Sequence, residues 1–308
     1  MIKTKLIDKL RRVTGIQEII TRVFVVGEDV KDLKRVMYEL KMRNDDIQQQ
    51  LTQAVDMLVA ERDDIDSLKD TLKHVRESAE YTRAYTKKKP LVTVRIATYN
   101  KSEELLRRCL PSVLGQTYKN IEVIIVGDHC TDDTEERIRE LNDPRVTFIN
   151  LSRRSTYPED KLHRWFVAGS PGMNIGVDAA HGDWIAPIDD DDEFTNDHIE
   201  KLLKLALSSK AELVYGSLRQ VNSSNGEDRL IYSNPPTLGN FSFQAAMYPR
   251  ALKFMRYDER SWVSREPGDW NLCRRMLLAG VRTASIKDVV GFLYMHNLDD
   301  KKHYKKGK

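Results

Sequence analysis

Gly182-Asp-Trp-Ile-Ala-Pro-Ile-Asp-Asp-Asp-Asp-Glu-Phe194 is the stretch from which the rest of the chain can be read. Trp184, Ile185, Ala186 and Ile188 form a short apolar run bounded by polar residues, the pattern of a buried strand. The strand delivers four consecutive carboxylates, Asp189, Asp190, Asp191 and Asp192, where it should end. Four adjacent anions repel one another, so gathering them at the edge of a core calls for a counter-charge. Hard divalent cations such as Mg²⁺ or Mn²⁺ take carboxylate oxygens and complete their shell with water and substrate phosphates. Alone, the run reads either as such a site or as a solvated acidic turn, and its neighbours decide between them.

Immediately N-terminal to this stretch, strand and helix alternate. Val92, Val94 and Ile96 interleave with Thr93, Arg95 and Ala97 in a strand that runs into Thr98-Tyr99-Asn100. Asn100 and Glu103 have the spacing of a capping box for a helix over Ser102 to Leu114, in which Pro111 lies deep enough to cause a bend. Ile121 to Val126 is almost wholly apolar, as a parallel strand covered on both faces should be, and it breaks at Gly127-Asp128. Thr131, Asp132 and Glu135 open another helix that stops at Asn142-Asp143-Pro144, and Val146 to Leu151 is a third strand. This rhythm predicts an α/β domain with a doubly wound, mostly parallel central sheet, whose ligands sit beyond the carboxyl ends of the strands. Thr98, Asp128 and the aspartate run all fall at such ends, which favours the functional reading of the run.

Farther out the pattern changes. Residues 1–31 carry Ile2, Leu6, Leu10, Val13, Ile16, Ile20 and Phe24 at helical spacing, with Lys3, Lys5, Lys9, Arg11 and Arg12 elsewhere on the wheel. This basic amphipathic helix suits either a peripheral contact with an anionic membrane surface or packing on its own protein. Residues 32–80 hold heptads: Leu33, Leu40, Ile47, Ala54, Glu61, Leu68 and Val75 at one position, and Met37, Asn44, Leu51, Leu58, Ile65, Leu72 and Ala79 at the other. Sustained 3.5-residue spacing predicts a coiled coil and a homodimer or other homo-oligomer. The alternative is one long helix lying along the following domain. Residues 81–90 lose the period and end in Lys87-Lys88-Lys89-Pro90, a linker; the α/β domain then fills 91–297, and 298–308 is a basic tail.

The chain has 308 residues, 50 Lys and Arg against 47 Asp and Glu, and a net charge of +3, a balance that speaks against a nucleic-acid binder. Cys109, Cys130 and Cys273 form no pair motif, which excludes a zinc-ribbon or disulfide framework and suits a reducing compartment. With no long apolar run and no signal-peptide pattern, the expected location is cytoplasmic, with the inner face of the membrane as the site of any peripheral contact. Neither Gly-x-Gly-x-x-Gly nor Gly-x-x-x-x-Gly-Lys-Ser/Thr occurs, so a bound nucleotide would need its diphosphate neutralised by other means, such as a metal on the aspartates.

Taken in order, Val-Arg-Ile-Ala-Thr-Tyr-Asn-Lys (94–101), Ser-Val-Leu-Gly-Gln-Thr-Tyr (112–118), Ile-Glu-Val-Ile-Ile-Val-Gly-Asp (121–128), Asn174-Ile175-Gly176, the aspartate stretch and Glu266-Pro-Gly-Asp269-Trp resemble the family 2 glycosyltransferases, inverting nucleotide-sugar transferases of GT-A fold. The resemblance implies that Asp128 pairs with the uracil N3–H of a UDP-sugar, a pairing that suits a group which only accepts hydrogen bonds. It places Thr98 and Tyr99 along the base pocket and Asn174 among the donor contacts. It maps the family's Asp-x-Asp onto Asp189, toward the ribose, and Asp191, a ligand of Mn²⁺ or Mg²⁺, with Asp190 and Asp192 beside them. Asp269 takes the position of the general base, Glu266 being the runner-up, and His296 is a further metal or diphosphate contact or else a surface histidine. The implied partners are a nucleotide-sugar donor and a glycan or lipid-linked glycan acceptor.

The sequence also departs from the family pattern. Gly127, His129 and Cys130 stand where Asp, Gly and Ser are commoner, and Met173 where many relatives carry Arg. Diphosphate contacts are therefore expected from elsewhere, with Arg153, Arg154, Lys161 and Arg164 as candidates. Two other readings are a sugar nucleotidyltransferase, which would need a basic glycine-rich loop that Ala97 to Leu105 lacks, and a non-catalytic scaffold built on the coiled coil.

Overall fold

The computed structural model of the protein describes residues 30–222 and 228–295. The chain forms two compact units, residues 1–64 and 65–308. The described part of the first unit belongs to helix α1 (Val30–Arg76), which contains no glycine or proline. There Met37, Met42 and Leu51 are exposed.

The second unit begins with the end of α1, and its apolar positions are spent differently. Ile65, Leu68 and Leu72 are buried in one cluster with Leu272, Cys273 and Met276 of helix α9 (Gly268–Ala279) and with Tyr215 and Tyr248 of the sheet. In this part of the heptad run the seam serves the chain's own domain, as the long-helix alternative required. A buried ion pair fastens the same helix end: Arg76 Nε and Nη2 each donate to Glu212 at 2.7 Å, and Tyr81 Oη donates to Glu212 Oε1 at 2.7 Å. Burial alone would raise the Glu212 carboxyl, but hydrogen bonds from Arg76, the Arg282 backbone and Tyr81 outweigh it and hold it below the usual range.

The expected linker at 81–90 is largely helix α2 (Ala79–Thr86). Ser78 caps it through Tyr81 N, Ala84 is 1% exposed, and Trp184 Nε1 donates to Ala84 O at 2.9 Å. Arg83 and Lys87 then pair with the buried Asp183 at 2.8 and 2.9 Å, and Leu91 N donates to the same carboxylate at 2.8 Å. Arg83 and Lys87 thus share a counter-ion inside the domain, which the heptad rule could not reveal.

The sheet follows the strand order β3-β2-β1-β4-β8-β6-β9-β5, with β7 beside β6. Its strands are β1 (Val92–Thr98), β2 (Ile121–Gly127), β3 (Val146–Asn150), β4 (Trp184–Asp189), β5 (Glu193–Phe194), β6 (Leu213–Asn222), β7 (Arg229–Ile231), β8 (Ala246–Pro249) and β9 (Thr283–Met295). β3, β2, β1 and β4 are parallel, whereas β8 runs antiparallel to both β4 and β6. The sheet is therefore mixed beyond β4, less parallel than the sequence suggested. Alternation of side chains separates two apolar layers. Trp184, Ala186 and Ile188 face Leu105, Leu110 and Val113 and helix α8 (His198–Ser209), while Ile185 faces the α1 and α9 layer.

The segment after β1 is α3 (Ser102–Glu104), a π-helical turn (Leu105–Cys109) and α4 (Leu110–Leu114). Pro111 has no N–H to give to residue 107, and the helix absorbs that loss by widening just before it, with Leu110 N bonding to Leu105 O. The predicted capping box does not form. Asn100 takes a left-handed backbone, φ 50°, and accepts Thr131 N at 2.9 Å, while Glu103 pairs with Arg107.

Candidate active site

Parallel pairing brings the carboxyl ends of β2, β1 and β4 side by side, with Thr98 against Gly127 and Ala97 against Asp189. Gly127 allows the tight exit from β2: a Cβ there would meet Asn150 Oδ1 and Phe148 Cζ at 2.8 Å, which accounts for glycine at this departure from the family pattern. The next residue, Asp128, is 5% exposed, and its N–H donates to Thr98 O at 2.9 Å. Its carboxylate accepts Ser155 N and Tyr157 Oη, both at 2.8 Å. Burial and the Asp128 charge hold the Tyr157 hydroxyl above its ordinary range, so it remains a donor. Arg154 stacks on the Tyr99 ring, 3.1 Å from its centroid, and lies 3.9 Å from Asp128 Oδ2. Thr98, Tyr99 and Asp128 thus meet in one corner, joined by Arg154, Ser155 and Tyr157 from the segment after β3. Of the four basic residues considered for the diphosphate, Arg154 belongs to this corner. Arg164 is turned onto its own backbone at Pro158 O and Glu159 O, 3.1 and 3.4 Å away.

The four aspartates do not share one partner: Asp190 and Asp191 have Lys101 in common, while Asp189 and Asp192 turn elsewhere. Asp189, the last residue of β4, accepts Gln244 Nε2. Asp190 accepts Lys101 Nζ at 3.3 Å, and Asp191 takes the same ammonium in a shorter contact. Asp192 accepts Tyr294 N at 2.9 Å and so ties the turn to the end of β9. Arg108 braces the turn from the helical side, donating to Asp191 O at 2.9 Å and lying 3.8 Å from the centroid of the Tyr294 ring. Burial pushes the Asp189 carboxyl up, and the charges of Asp269 and Asp191 push the same way, partly opposed by Arg95. Asp190 is raised by burial as well, with Lys101 pulling it back and Asp191 pushing it up.

Asp269 is the second residue of α9, at the end of the helix that favours an anion. Its Oδ2 accepts Ser242 Oγ at 3.2 Å and Phe243 N at 3.3 Å. The adjoining Gln244 is the residue bound to Asp189, so one three-residue turn grips Asp269 at its start and Asp189 at its end. Two carboxylates eighty residues apart in sequence are thereby placed together. Neither Gln244 nor Lys101 was a candidate from sequence. Lys101 lay inside the quoted Thr-Tyr-Asn-Lys landmark, but its partners became visible only with the β1–β4 register.

Asn174, 5% exposed, donates to Tyr257 O and accepts Tyr257 N, both at 3.0 Å, so its amide fixes that backbone. Glu266, the runner-up base, is held by Arg274 Nε at 2.8 Å and Asn271 Nδ2 at 2.9 Å. His296 lies outside the described residues, as do residues 1–29 and the tail.

Among the described residues, no group of three or more His, Cys, Asp or Glu side chains stands ready to enclose a metal ion. Asp190 and Asp191 nevertheless converge on one positive centre, the Lys101 ammonium. Two hard oxygen donors facing one cation fit Mg²⁺ or Mn²⁺ that draws its remaining ligands from water and a diphosphate; they do not make an all-protein cage. No helix among the described residues is long and apolar enough to cross a membrane.

A mixed α/β sheet with its carboxylates gathered at one edge has a GT-A-like architecture. Residues 93–160 and 161–278, more than half of the chain, match glycosyl transferase family 2, and the protein belongs to that family. It is 33% identical over 136 residues to the glycosyltransferase GlyA of Streptococcus pneumoniae, covering 44% of this chain and 18% of that protein. It is 30% identical over 148 residues to the succinoglycan biosynthesis protein ExoO of Rhizobium meliloti, covering 47% and 38%, respectively. It is 32% identical over 163 residues to the chondroitin synthase of Pasteurella multocida, covering 49% and 15%. The chain thus spans well under two thirds of each of these relatives. The S. aureus TarS 1-349 structure in complex with UDP-GlcNAc shares the fold, with a TM-score of 0.54 and 16% identity over 67% of this chain and 59% of that one.

Proposed function

We propose that the protein is an inverting glycosyltransferase that moves a sugar from a UDP-sugar to an acceptor hydroxyl, using Mn²⁺ or Mg²⁺, in the assembly of a glycan. The observation that carries this reading is the joint grip of the Ser242–Gln244 turn on Asp269 and Asp189. It sets a carboxylate at a helix N-terminus against the strand end where the nucleotide of an α/β enzyme binds.

In this reading Asp128 accepts the uracil N3–H, within a corner walled by Tyr99 and Thr98. Asp189 accepts from the ribose. Asp191 and Asp190 would hold the metal, which when bound supplies Lewis-acid stabilisation of the leaving diphosphate. Asp269 takes the proton from the acceptor hydroxyl as that oxygen attacks the anomeric carbon from the face opposite the diphosphate. Hydrogen bonds from Ser242 Oγ and Phe243 N fix the direction of its carboxylate, so orientation supplies its effectiveness. Uridine is supported by the fold shared with TarS, whose structures include UDP and UDP-GlcNAc complexes. The acceptor is a glycan or lipid-linked glycan, as the succinoglycan and chondroitin relatives suggest by analogy. The N-terminal heptads pair with a second copy as a coiled coil at a cytoplasmic location, and residues 1–28 make either a peripheral contact with the inner face of the membrane or a contact with the protein itself.

A thermal-shift screen of nucleotide sugars tests the donor assignment, because a ligand that binds only the folded chain raises its midpoint. UDP-sugars should stabilise with Mn²⁺ and lose that effect with chelator; stabilisation by no nucleotide sugar would overturn the assignment.

A further inference from the structure

We infer that Lys101 is a built-in counter-cation of the aspartate turn, one that holds the metal-binding carboxylates closed until a nucleotide diphosphate arrives and that then turns to the diphosphate. The inference rests on the metal-and-donor reading above and adds to it an order of events and the residue responsible.

The geometry follows from the register. β1 and β4 are parallel neighbours with Ala97 opposite Asp189, so a residue just past the end of β1 lies beside one just past the end of β4. Asn100 makes the connection rigid: its left-handed backbone, φ 50°, and its bonds to Thr131 N and Oγ1 at 2.9 and 3.3 Å direct Lys101 toward the turn. The ammonium then bridges Asp190 and Asp191. Asp190 and Asp191 retain only 9% and 14% side-chain exposure, so in the absence of Lys101 two largely desolvated anions would face one another. The Lys101 side chain is itself 40% exposed, at the solvent edge of the cluster, so it can leave the carboxylates without disturbing the core.

Two consequences follow for the metal. A monovalent ammonium and a divalent ion want the same oxygens, so an ion arriving alone must displace Lys101 and leave its charge unmatched. An ion arriving with a diphosphate brings the anion that Lys101 needs, and the exchange conserves charge pairing throughout. Nucleotide and metal should therefore bind with positive coupling, each raising the affinity of the other by the same factor. Arg108 is no substitute in this exchange, since it is committed to Asp191 O and to the Tyr294 ring.

The test is Mn²⁺ binding to the full chain, read from the electron paramagnetic resonance of free Mn²⁺, for wild type, Lys101→Met and Lys101→Arg, each with and without UDP. Wild type should bind Mn²⁺ weakly alone and about tenfold or more tightly with UDP, and Lys101→Met should bind Mn²⁺ alone about tenfold more tightly than wild type. Lys101→Arg, which keeps the cation, should stay close to wild type. Equal Mn²⁺ affinity of wild type and Lys101→Met without nucleotide overturns the inference while leaving the donor reading intact. If the Met variant does not fold, wild type alone decides, because uncoupled binding of UDP and Mn²⁺ is equally fatal. Binding of neither ligand to wild type sinks the donor reading, and this inference with it.

Discussion

A carboxylate has about four lone-pair sites, and Asp128 uses one for Ser155 N and one for Tyr157 Oη. It keeps capacity for a donor such as uracil N3–H, and the protein's own donors aim it. Asp128→Asn exchanges an anionic acceptor for a neutral amide and should weaken UDP binding about tenfold, the scale of one charge-assisted hydrogen bond, measurable by calorimetry. Unchanged affinity would place the base elsewhere. At this scale Asp128, Asp189, Asp191 and Asp269 are named by the resemblance to the family's ordered motifs, and the strand-end positions of Asp128 and the aspartate run add weight to that reading. The contact of Asn174 with the Tyr257 backbone is not legible, because that partner is eighty-three residues away and carries no motif. Lys101 and Gln244 were overlooked for the same reason: each matters through a carboxylate that only the folded register brings near.

Helix α1 shows that a periodicity does not say what covers it. Leu72 is 1% exposed, and Leu72→Ala should cost about 2–5 kcal/mol of domain stability by denaturant titration. Leu51 is 57% exposed, so Leu51→Lys should leave domain stability nearly unchanged but convert the chain to monomer in light scattering if residues 33–61 form a coiled coil. A monomeric wild type would refute the coiled coil. A heptad pattern reports an apolar stripe and not what covers it, so the packing of Ile65, Leu68 and Leu72 on the chain's own domain is not legible in the sequence. The ion pair that ends α1 has a pH signature. Glu212 is held below its unfolded value near 4.3, so its contribution is complete above that pH and is lost as pH falls through the folded value. Glu212→Gln should destabilise by about 3 kcal/mol at neutral pH, the lower end for a broken buried pair because Arg76 is 32% exposed. The difference from wild type should narrow below about pH 4 in thermal melts; a difference independent of pH would mean that the pair contributes packing and not charge.

Over the whole molecule, the site is assembled from chain ends that have nothing in common locally. β2, β1 and β4 contribute Asp128, Lys101 and the aspartates, the Ser242–Gln244 turn spans the gap, and α9 brings Asp269 to the other side. The alternating strand and helix pattern made the parallel half of the sheet legible. The antiparallel insertion of β8 was not, because Ala246 to Pro249 is four buried residues without a period. That insertion lets the turn before β8 reach both carboxylates, and the central claim depends on it: Asp189 belongs to the nucleotide and Asp269 to the acceptor. The most direct measurement compares wild type with Asp269→Asn for release of UDP from a stabilising UDP-sugar and for UDP affinity. The account predicts a loss of turnover of about 10²–10⁴-fold, the range of general-base catalysis, with UDP binding nearly unchanged. Normal turnover by Asp269→Asn would contradict it.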